Sequence, residues 1–167
     1  MKPLTLDIKT DYTTRYELKT FVVRDSSNPD KRPPKGSPAR SSEDVVRLAR
    51  AVYADLDADK EHFVLFTLTN KNRINGFKVV STGSLTASLV HPREVWTAAL
   101  RLGIENQPPA AVIFVHNHPS GDPAPSPEDL EITRRLKETG DLFGIRVLDH
   151  VVLGDNQHYS FSDHGIL

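Results

Sequence analysis

The sequence contains no cysteine among its 167 residues. This absence excludes disulfide bonds and thiolate zinc sites, and it excludes the zinc site of nucleobase deaminases, which needs a Pro-Cys-x-x-Cys run. No apolar stretch approaches the roughly 18 residues of a membrane-spanning helix, and the N-terminal residues lack the apolar core of a signal peptide. We therefore expect a cytoplasmic protein that has no membrane partner.

Net charge is also low, formally −1, but it is unevenly distributed. Residues 1–40 carry nine Lys or Arg against five Asp or Glu, whereas residues 41–167 carry twelve against seventeen. The mildly acidic body lacks the basic surface expected of a dedicated duplex-DNA binder. The basic N-terminal arm gives only weak support to an association with nucleic acid.

Proline divides the chain into two parts. Residues 26–40 contain four prolines among polar residues, which predicts a linker or a long exposed loop. Before it, the alternating, aromatic and β-branched residues 14–24 predict a strand. We therefore divide the chain into an N-terminal extension with a Pro-rich linker, residues 1–40, and one domain, residues 41–167.

Helical and strand patterns interleave throughout that domain. Ser41 is a predicted helix N-cap, Pro92 opens a second helix that ends near Leu102, and a third helix spans residues 126–139, with Gly140 at its end. The predicted strands are residues 62–69, 76–82, 110–115, 146–153 and 158–161. The pattern indicates an α/β fold with a mixed β-sheet flanked by helices.

Two histidines follow the apolar strand at residues 110–115. His116 and His118 are two positions apart, so their side chains lie on the same face of a strand. After a Pro-rich loop, Ser126 and Pro127 are typical of a helix start, and Asp129 lies on the same side of that helix as Ser126. Two imidazoles and a carboxylate with an open fourth position suit a catalytic zinc ion.

Simpler interpretations exist for the same residues. Ser126 and Asp129 form a good capping box without any further function, and a His-x-His pair is unremarkable in a chain with seven histidines. The combination at these fixed offsets is more specific than its parts. Four other histidines are predicted to lie on the surface or in loops: His62, His91, His158 and His164. Trp96 and Phe114 are predicted to be core residues.

Two polar residues, Asp149 and His150, interrupt the apolar run at residues 147–153. Polar groups in a buried strand need hydrogen-bond partners. They would either orient a metal-bound histidine from behind or form a satisfied interior pair. The sequence leaves both alternatives open.

The spacing His116-x-His118, seven residues, Ser126-x-x-Asp129 resembles the JAMM motif of the JAB/MPN metalloprotease family. Residues 116–123, 125–126 and 148–150 resemble the RadC branch of that family, and so do residues 83–88 and 91–94. The resemblance covers about residues 41–167.

This resemblance implies a deaminase-like JAB/MPN fold in which His116, His118 and Asp129 bind Zn²⁺. It further implies that an upstream glutamate is the general base, with Glu61 the best match and Glu94 its rival, and that Ser126 donates a hydrogen bond to the oxyanion. The implied function is zinc-dependent hydrolysis of a peptide or isopeptide bond in a protein or peptide substrate.

Two other hypotheses remain. RadC-type proteins commonly carry an N-terminal region that resembles a helix-hairpin-helix DNA-binding module, and residues 1–40 do not resemble it. One alternative is a DNA-repair or DNA-processing accessory protein with possible metal-dependent nuclease activity. The other is a catalytically silent, zinc-stabilised binding domain, which is disfavoured because every ligand and a candidate base are present.

Overall fold

A computed structural model describes residues 35–83, 90–103 and 108–167. The predicted strand at residues 14–24 and the family-like segment at residues 84–88 lie outside these ranges. The helices are α1 (Ser42–Tyr53), α2 (Pro92–Arg101) and α3 (Pro127–Phe143). The strands are β1 (Glu61–Leu68), β2 (Ile74–Gly83), β3 (Ala111–Asn117), β4 (Arg146–Leu153) and β5 (His158–Ser160).

The five strands form one mixed sheet in the order β2-β1-β3-β4-β5. Strand β1 is antiparallel to both β2 and β3, whereas β3 and β4 are parallel and β4 and β5 are antiparallel. Parallel neighbours require a crossover connection, and α3 is the helix of that crossover. The predicted α/β fold with a mixed sheet and flanking helices is confirmed.

Helices cover both faces of the sheet. Side chains of Val64, Phe66 and Leu68 pack in one core cluster with α1, while Phe63 and Leu65 pack in a second cluster with α2 and α3. Successive strand residues point to opposite faces, so both faces of β1 are buried. This explains why residues 63–66 of β1 are continuously apolar rather than alternating.

The helix starts follow the sequence prediction closely. Ser41 is the N-cap of α1, and its side chain accepts a hydrogen bond from the backbone N–H of Asp44.

The turn between β1 and β2 binds the end of the predicted linker, because the backbone N–H of Gly36 donates to the carbonyl of Ile74 and that of Ala39 donates to the carbonyl of Asn72. Residues 36–39 thus pack against the domain, and the division at residue 40 stays a prediction.

The predicted end of α3 at Gly140 is wrong. The helix continues to Phe143, and Gly144 is its C-cap in the left-handed conformation, with φ of 66°. A Cβ atom at Gly140 would lie 2.7 Å from the carbonyl oxygen of Ile145 and 3.0 Å from the Trp96 ring. Gly140 therefore lies within α3 and allows the Trp96 ring and the Ile145 carbonyl to approach the helix closely. The local sequence does not distinguish this role from that of a helix C-cap.

The assignment of His62 to the surface is also wrong. His62 is 3% exposed, on the α1 face of β1. Its ring nitrogens contact the Thr82 hydroxyl at 2.9 Å and the Asp57 carbonyl at 2.8 Å. These two partners satisfy both polar atoms, which allows a histidine to be buried. Trp96 and Phe114 are core residues, as predicted.

None of the helices within the described ranges is long and apolar enough to cross a membrane.

Candidate metal site

The candidate ligands converge where β3 ends and α3 begins. Ligand atoms of His116, His118 and Asp129 all lie within 4.8 Å of one another. The Nε2 atom of His116 is 3.1 Å from that of His118 and 3.2 Å from Oδ1 of Asp129. The Nε2 atom of His118 is 3.4 Å from Oδ2 of Asp129. The structure thus brings together the three residues that the sequence spacing predicted.

The loop after β3 determines how His118 presents its ring. The backbone N–H of His118 donates to Leu153, which extends the pairing of β3 and β4 by one bond. Its Nδ1 atom is 2.8 Å from the backbone carbonyl of Asp122. A carbonyl oxygen only accepts, so Nδ1 carries the hydrogen and Nε2 keeps a lone pair that faces the other two ligands.

Close contact with the β4–β5 turn holds this loop in place. The carbonyl of Gly121 accepts a hydrogen bond from the backbone of Asp155. A Cβ atom at Gly154 would overlap that same Gly121 carbonyl and lie 2.9 Å from the Pro123 ring. Glycine at position 154 therefore allows the two loops to approach.

Asp129 serves the helix cap and the candidate site at the same time. Its Oδ2 atom accepts hydrogen bonds from the backbone and the hydroxyl of Ser126, at 2.8 and 2.7 Å. Its Oδ1 atom is the one nearest to Nε2 of His116. The capping box is present, so the structural and the metal-binding interpretations of Asp129 are compatible.

The electrostatics of the group favour a cation. Burial raises the pKa of the Asp129 carboxyl, but its close contacts with His116 and His118 outweigh this effect and hold the pKa well below its usual range. Asp129 favours a proton on the nearby Nε2 of His118 and so raises the pKa of His118, although burial opposes it. Two imidazole nitrogens and a carboxylate at this spacing attract a proton or a metal ion between them.

Glu61 begins β1 on the same side of the sheet as the histidines. Phe63, two residues later, is paired with His116 across β1 and β3, and their rings stack at 6.3 Å. Residues two apart on a strand share a face, which places Glu61 on the face of His116 and His118. Its charge also contributes to the raised pKa of His118.

Glu94 lies elsewhere. It is an exposed residue in the first turn of α2, and it lines a cavity of about 450 Å³ between α2 and β2. The other lining residues are Lys78, Val80, Arg93, Thr97, Ala98 and Arg101. None of the three candidate ligands lines this cavity.

Asp149 and His150 point to opposite faces of β4 and have different partners. Asp149 accepts hydrogen bonds from the Ser160 hydroxyl and from the backbones of His150 and Ser162. Nε2 of His150 lies 2.9 Å from Nδ1 of His116. Of the two open alternatives, satisfied burial describes Asp149, whereas His150 contacts a candidate ligand from behind.

Two further residues support the group, and the sequence interpretation missed one of them, Thr133. The side chain of Asn117 bonds to the backbone on both sides of Glu61, at Lys60 and His62. Thr133 contacts both His150 and the backbone of Asp129. A signal for Thr133 existed, because a threonine four residues after Asp129 lies on the same helix face.

Comparison with known proteins shows the family of this chain. A family model described as the RadC-like JAB domain matches residues 39–166. The chain belongs to this family. The RadC-family domain is 56% identical over 115 residues to a UPF0758 protein of Geobacter sulfurreducens, covering 69% of this chain and 48% of that protein. It is 45% identical over 142 residues to one of Desulfitobacterium hafniense, covering 85% of this chain and 58% of that protein.

The chain spans about half the length of the curated relatives that it matches, 48% and 58% in these two cases. The names of these relatives state no activity. The resemblance of the sequence to the RadC branch is confirmed. Any activity of the RadC-family site has to be inferred from the arrangement of its residues.

Proposed function

We propose that this RadC-family chain is a zinc-dependent hydrolase that cleaves a peptide or isopeptide bond. The observation that supports this function is the convergence of His116, His118 and Asp129 beside Glu61. Within the described ranges, the Nε2 atoms of both histidines meet polar partners only inside this group. Such a partly buried set of facing lone pairs and carboxylate charge is stabilised by a cation at its centre.

The donor set fits zinc. Two imidazole nitrogens and one carboxylate oxygen are zinc ligands, and three protein ligands with one open position are typical of catalytic sites. Zinc bound by these residues would supply Lewis-acid chemistry, by polarising a carbonyl and favouring the ionisation of water.

Glu61 is assigned the proton transfers. Its carboxylate would accept a proton from the attacking water and later deliver it to the departing amine, as general acid–base catalysis requires. Asn117 holds the backbone on either side of it. The carboxylate therefore starts from a strand that is anchored directly to the end of β3.

Ser126 is assigned the stabilisation of the oxyanion. Its hydroxyl donates to Oδ2 of Asp129 at 2.7 Å, so the hydrogen has to turn from Asp129 to the substrate oxygen. The backbone N–H of Ser126 continues to bind Asp129, which keeps the carboxylate in place during that rotation. A hydroxyl that donates to the developing oxyanion lowers the energy of a tetrahedral transition state.

The test is the zinc content of the purified full chain by elemental analysis. We expect about one zinc per chain in the wild type, and loss of zinc in His118→Ala and in the His116→Ala/Asp129→Ala double variant. His91→Ala is the matched control, because His91 is an exposed histidine that makes no cap hydrogen bond. Zinc that persists in His118→Ala would refute the site.

The activity test follows on the zinc-loaded protein with peptide and isopeptide substrates. Cleavage by the wild type that disappears in Glu61→Gln supports the hydrolase. Zinc binding without cleavage of any substrate favours the silent binding domain, and absence of zinc even after reconstitution favours a domain in which the motif is only structural.

DNA processing is the second candidate function. Among the described residues, the feature that favours it is the cavity between α2 and β2, whose lining includes the cations Lys78, Arg93 and Arg101. A fluorescent single-stranded oligonucleotide provides the test, since phosphate contacts weaken as salt rises. Arg101→Glu should abolish salt-sensitive binding, while Arg134→Glu, on an arginine paired with Glu131 and Glu138, should not. Absence of binding by the wild type would exclude this function.

A further inference from the structure

His150 is fully buried and lies behind the candidate site. Its ring stacks on Phe161 at 4.9 Å and meets the edges of Phe63 and Phe114 at 5.5 and 6.0 Å. In these apolar surroundings, both ring nitrogens need partners. Nε2 faces Nδ1 of His116 at 2.9 Å, and Nδ1 faces the hydroxyl of Thr133 at 2.5 Å.

The position of each hydrogen follows from the far end of this chain of contacts. The Thr133 hydroxyl has one hydrogen, and its oxygen lies 2.5 Å from the backbone carbonyl of Asp129. A carbonyl only accepts, so the hydrogen of Thr133 points to Asp129. The contact between Thr133 and His150 then requires a hydrogen on Nδ1 of His150.

His150 carries only that one hydrogen. Its ring is fully buried among the rings of Phe63, Phe114 and Phe161, and its two described polar partners carry no negative charge to offset a second ring hydrogen. Its Nε2 is therefore an acceptor, and the hydrogen in the 2.9 Å contact belongs to Nδ1 of His116. The Nε2 atom of His116 stays on the opposite side of the ring, 3.2 Å from Oδ1 of Asp129.

We propose that Thr133 and His150 are positioning residues that fix the tautomer of His116, with its hydrogen on Nδ1 and its Nε2 lone pair directed at the metal. This inference rests on the proposed function, since it assigns a purpose to a ligand of that site. The chain of hydrogen bonds begins at the backbone of Asp129 and ends at His116. The Thr133–His150 pair thus joins ligands from α3 and β3 before any metal binds.

The opposite tautomer explains why such a device matters. If Nε2 of His150 carried the hydrogen, Nδ1 of His116 would accept it and the single hydrogen of a neutral His116 would move to Nε2. That hydrogen would point at Oδ1 of Asp129 and would have to be displaced by the metal. Partners that orient a metal-binding histidine typically change metal affinity by about 10- to 100-fold when they are mutated.

The first experiment needs no metal. Long-range ¹H–¹⁵N NMR spectra of the metal-free full chain show which ring nitrogen of each histidine carries the hydrogen. We expect a pyrrole-type Nδ1 and a pyridine-type Nε2 for His150, with a hydrogen on Nδ1 of His116. A hydrogen on Nε2 of His150 in the wild type would overturn the inference.

The second experiment compares threonine variants by chelator competition for zinc. Thr133→Val removes the hydroxyl but keeps the shape of the side chain, and it should weaken zinc binding by about 10-fold or more. Thr133→Ser should restore the wild-type affinity and tautomer. Thr139→Val is the matched control, because Thr139 makes the same bond to a carbonyl four residues earlier, that of Arg135, on an exposed part of α3.

Each outcome bears on one proposal at a time. Equal zinc affinity in wild type and Thr133→Val would overturn the positioning role, even if zinc binds as proposed. A wild type that binds no zinc contradicts the proposed function, and the tautomers of the metal-free protein then decide the inference alone. Thermal unfolding of Thr133→Val beside Thr139→Val shows whether the fold is intact.

Discussion

The side-chain carbonyl of Asn117 accepts a hydrogen bond from the backbone N–H of His62 at 2.8 Å. The amide group of the same side chain donates to the carbonyl of Lys60 at 2.9 Å. Asn117 thus continues the pairing of β3 with β1 by means of its side chain, and it holds the backbone on both sides of Glu61. The strand ends that carry the candidate base and the two histidines are thereby linked.

Removal of this link should affect catalysis more than metal binding. In Asn117→Ala, both hydrogen bonds are lost, which costs about 1–2 kcal/mol of unfolding free energy. The displacement of Glu61 should lower kcat by roughly 10- to 100-fold, while zinc content stays at the wild-type level. Asn75→Ala is the control, because the bond described for the Asn75 side chain is a 3.4 Å contact with the carbonyl of Leu102, far from Glu61 in the sequence. Equal kcat values in the two variants would contradict this role.

Glutamine variants of Glu61 and Glu94 test which of the two is the general base. We expect Glu61→Gln to keep its zinc and to lose about 100-fold or more in kcat, because the amide cannot accept the proton. Glu94→Gln should behave like the wild type, since Glu94 lines the cavity between α2 and β2. Metal analysis and peptidase assays on both variants provide the measurement. The reverse result would transfer the role of general base to Glu94.

The approach of two loops supports His118. A methyl group at Gly154 would overlap the Gly121 carbonyl, so Gly154→Ala should destabilise the fold by about 1–3 kcal/mol and displace the carbonyl of Asp122. The affinity for zinc should fall with it, as measured by chelator competition and urea unfolding. Gly76→Ala is the control, because its nearest neighbour would be 3.7 Å away. Unchanged zinc affinity in Gly154→Ala would show that His118 does not depend on this loop.

The buried carboxyl of Asp149 should make the stability of the fold depend on pH. Burial raises the pKa of Asp149 above its ordinary value of 3.8, against hydrogen bonds that lower it. A raised pKa means that this group stabilises the fold below pH 3.8, and that the contribution is lost as pH rises through the folded-state pKa. Urea unfolding should therefore show that the free energy of unfolding of the wild type falls relative to that of Asp149→Asn as pH increases.

A second variant at this position tests the hydrogen bonds themselves. Asp149→Ala leaves the Ser160 hydroxyl and two backbone N–H groups without their acceptor, and it should cost about 2–4 kcal/mol. Asp149→Asn retains an acceptor for the backbone groups and should cost less. Equal losses in both variants would mean that the charge, rather than the acceptor geometry, holds the C-terminal segment.

Local features of the sequence predicted most of the secondary structure. Apolar runs and caps located the strands and the helix starts, because periodicity and capping depend on residues close together in the chain. The spacing of His116, His118 and Asp129 predicted the members of the candidate group for the same reason. The strand that leads into the two histidines and the start of the helix at Pro127 were both predictable from neighbouring residues.

Only the tertiary structure decided the relations between elements that are distant in sequence. Pairing of β1 with β3 placed Glu61 on the face of the histidines, whereas the position of α2 placed Glu94 at the cavity beside β2. Packing on both faces of the sheet buried His62, and the approach of Ile145 and Trp96 placed Gly140 inside α3 rather than at its end. The alternation along β4 turned His150 toward His116 and Asp149 away from it. These outcomes depend on which elements are in contact in the folded protein, and local sequence patterns do not determine those contacts.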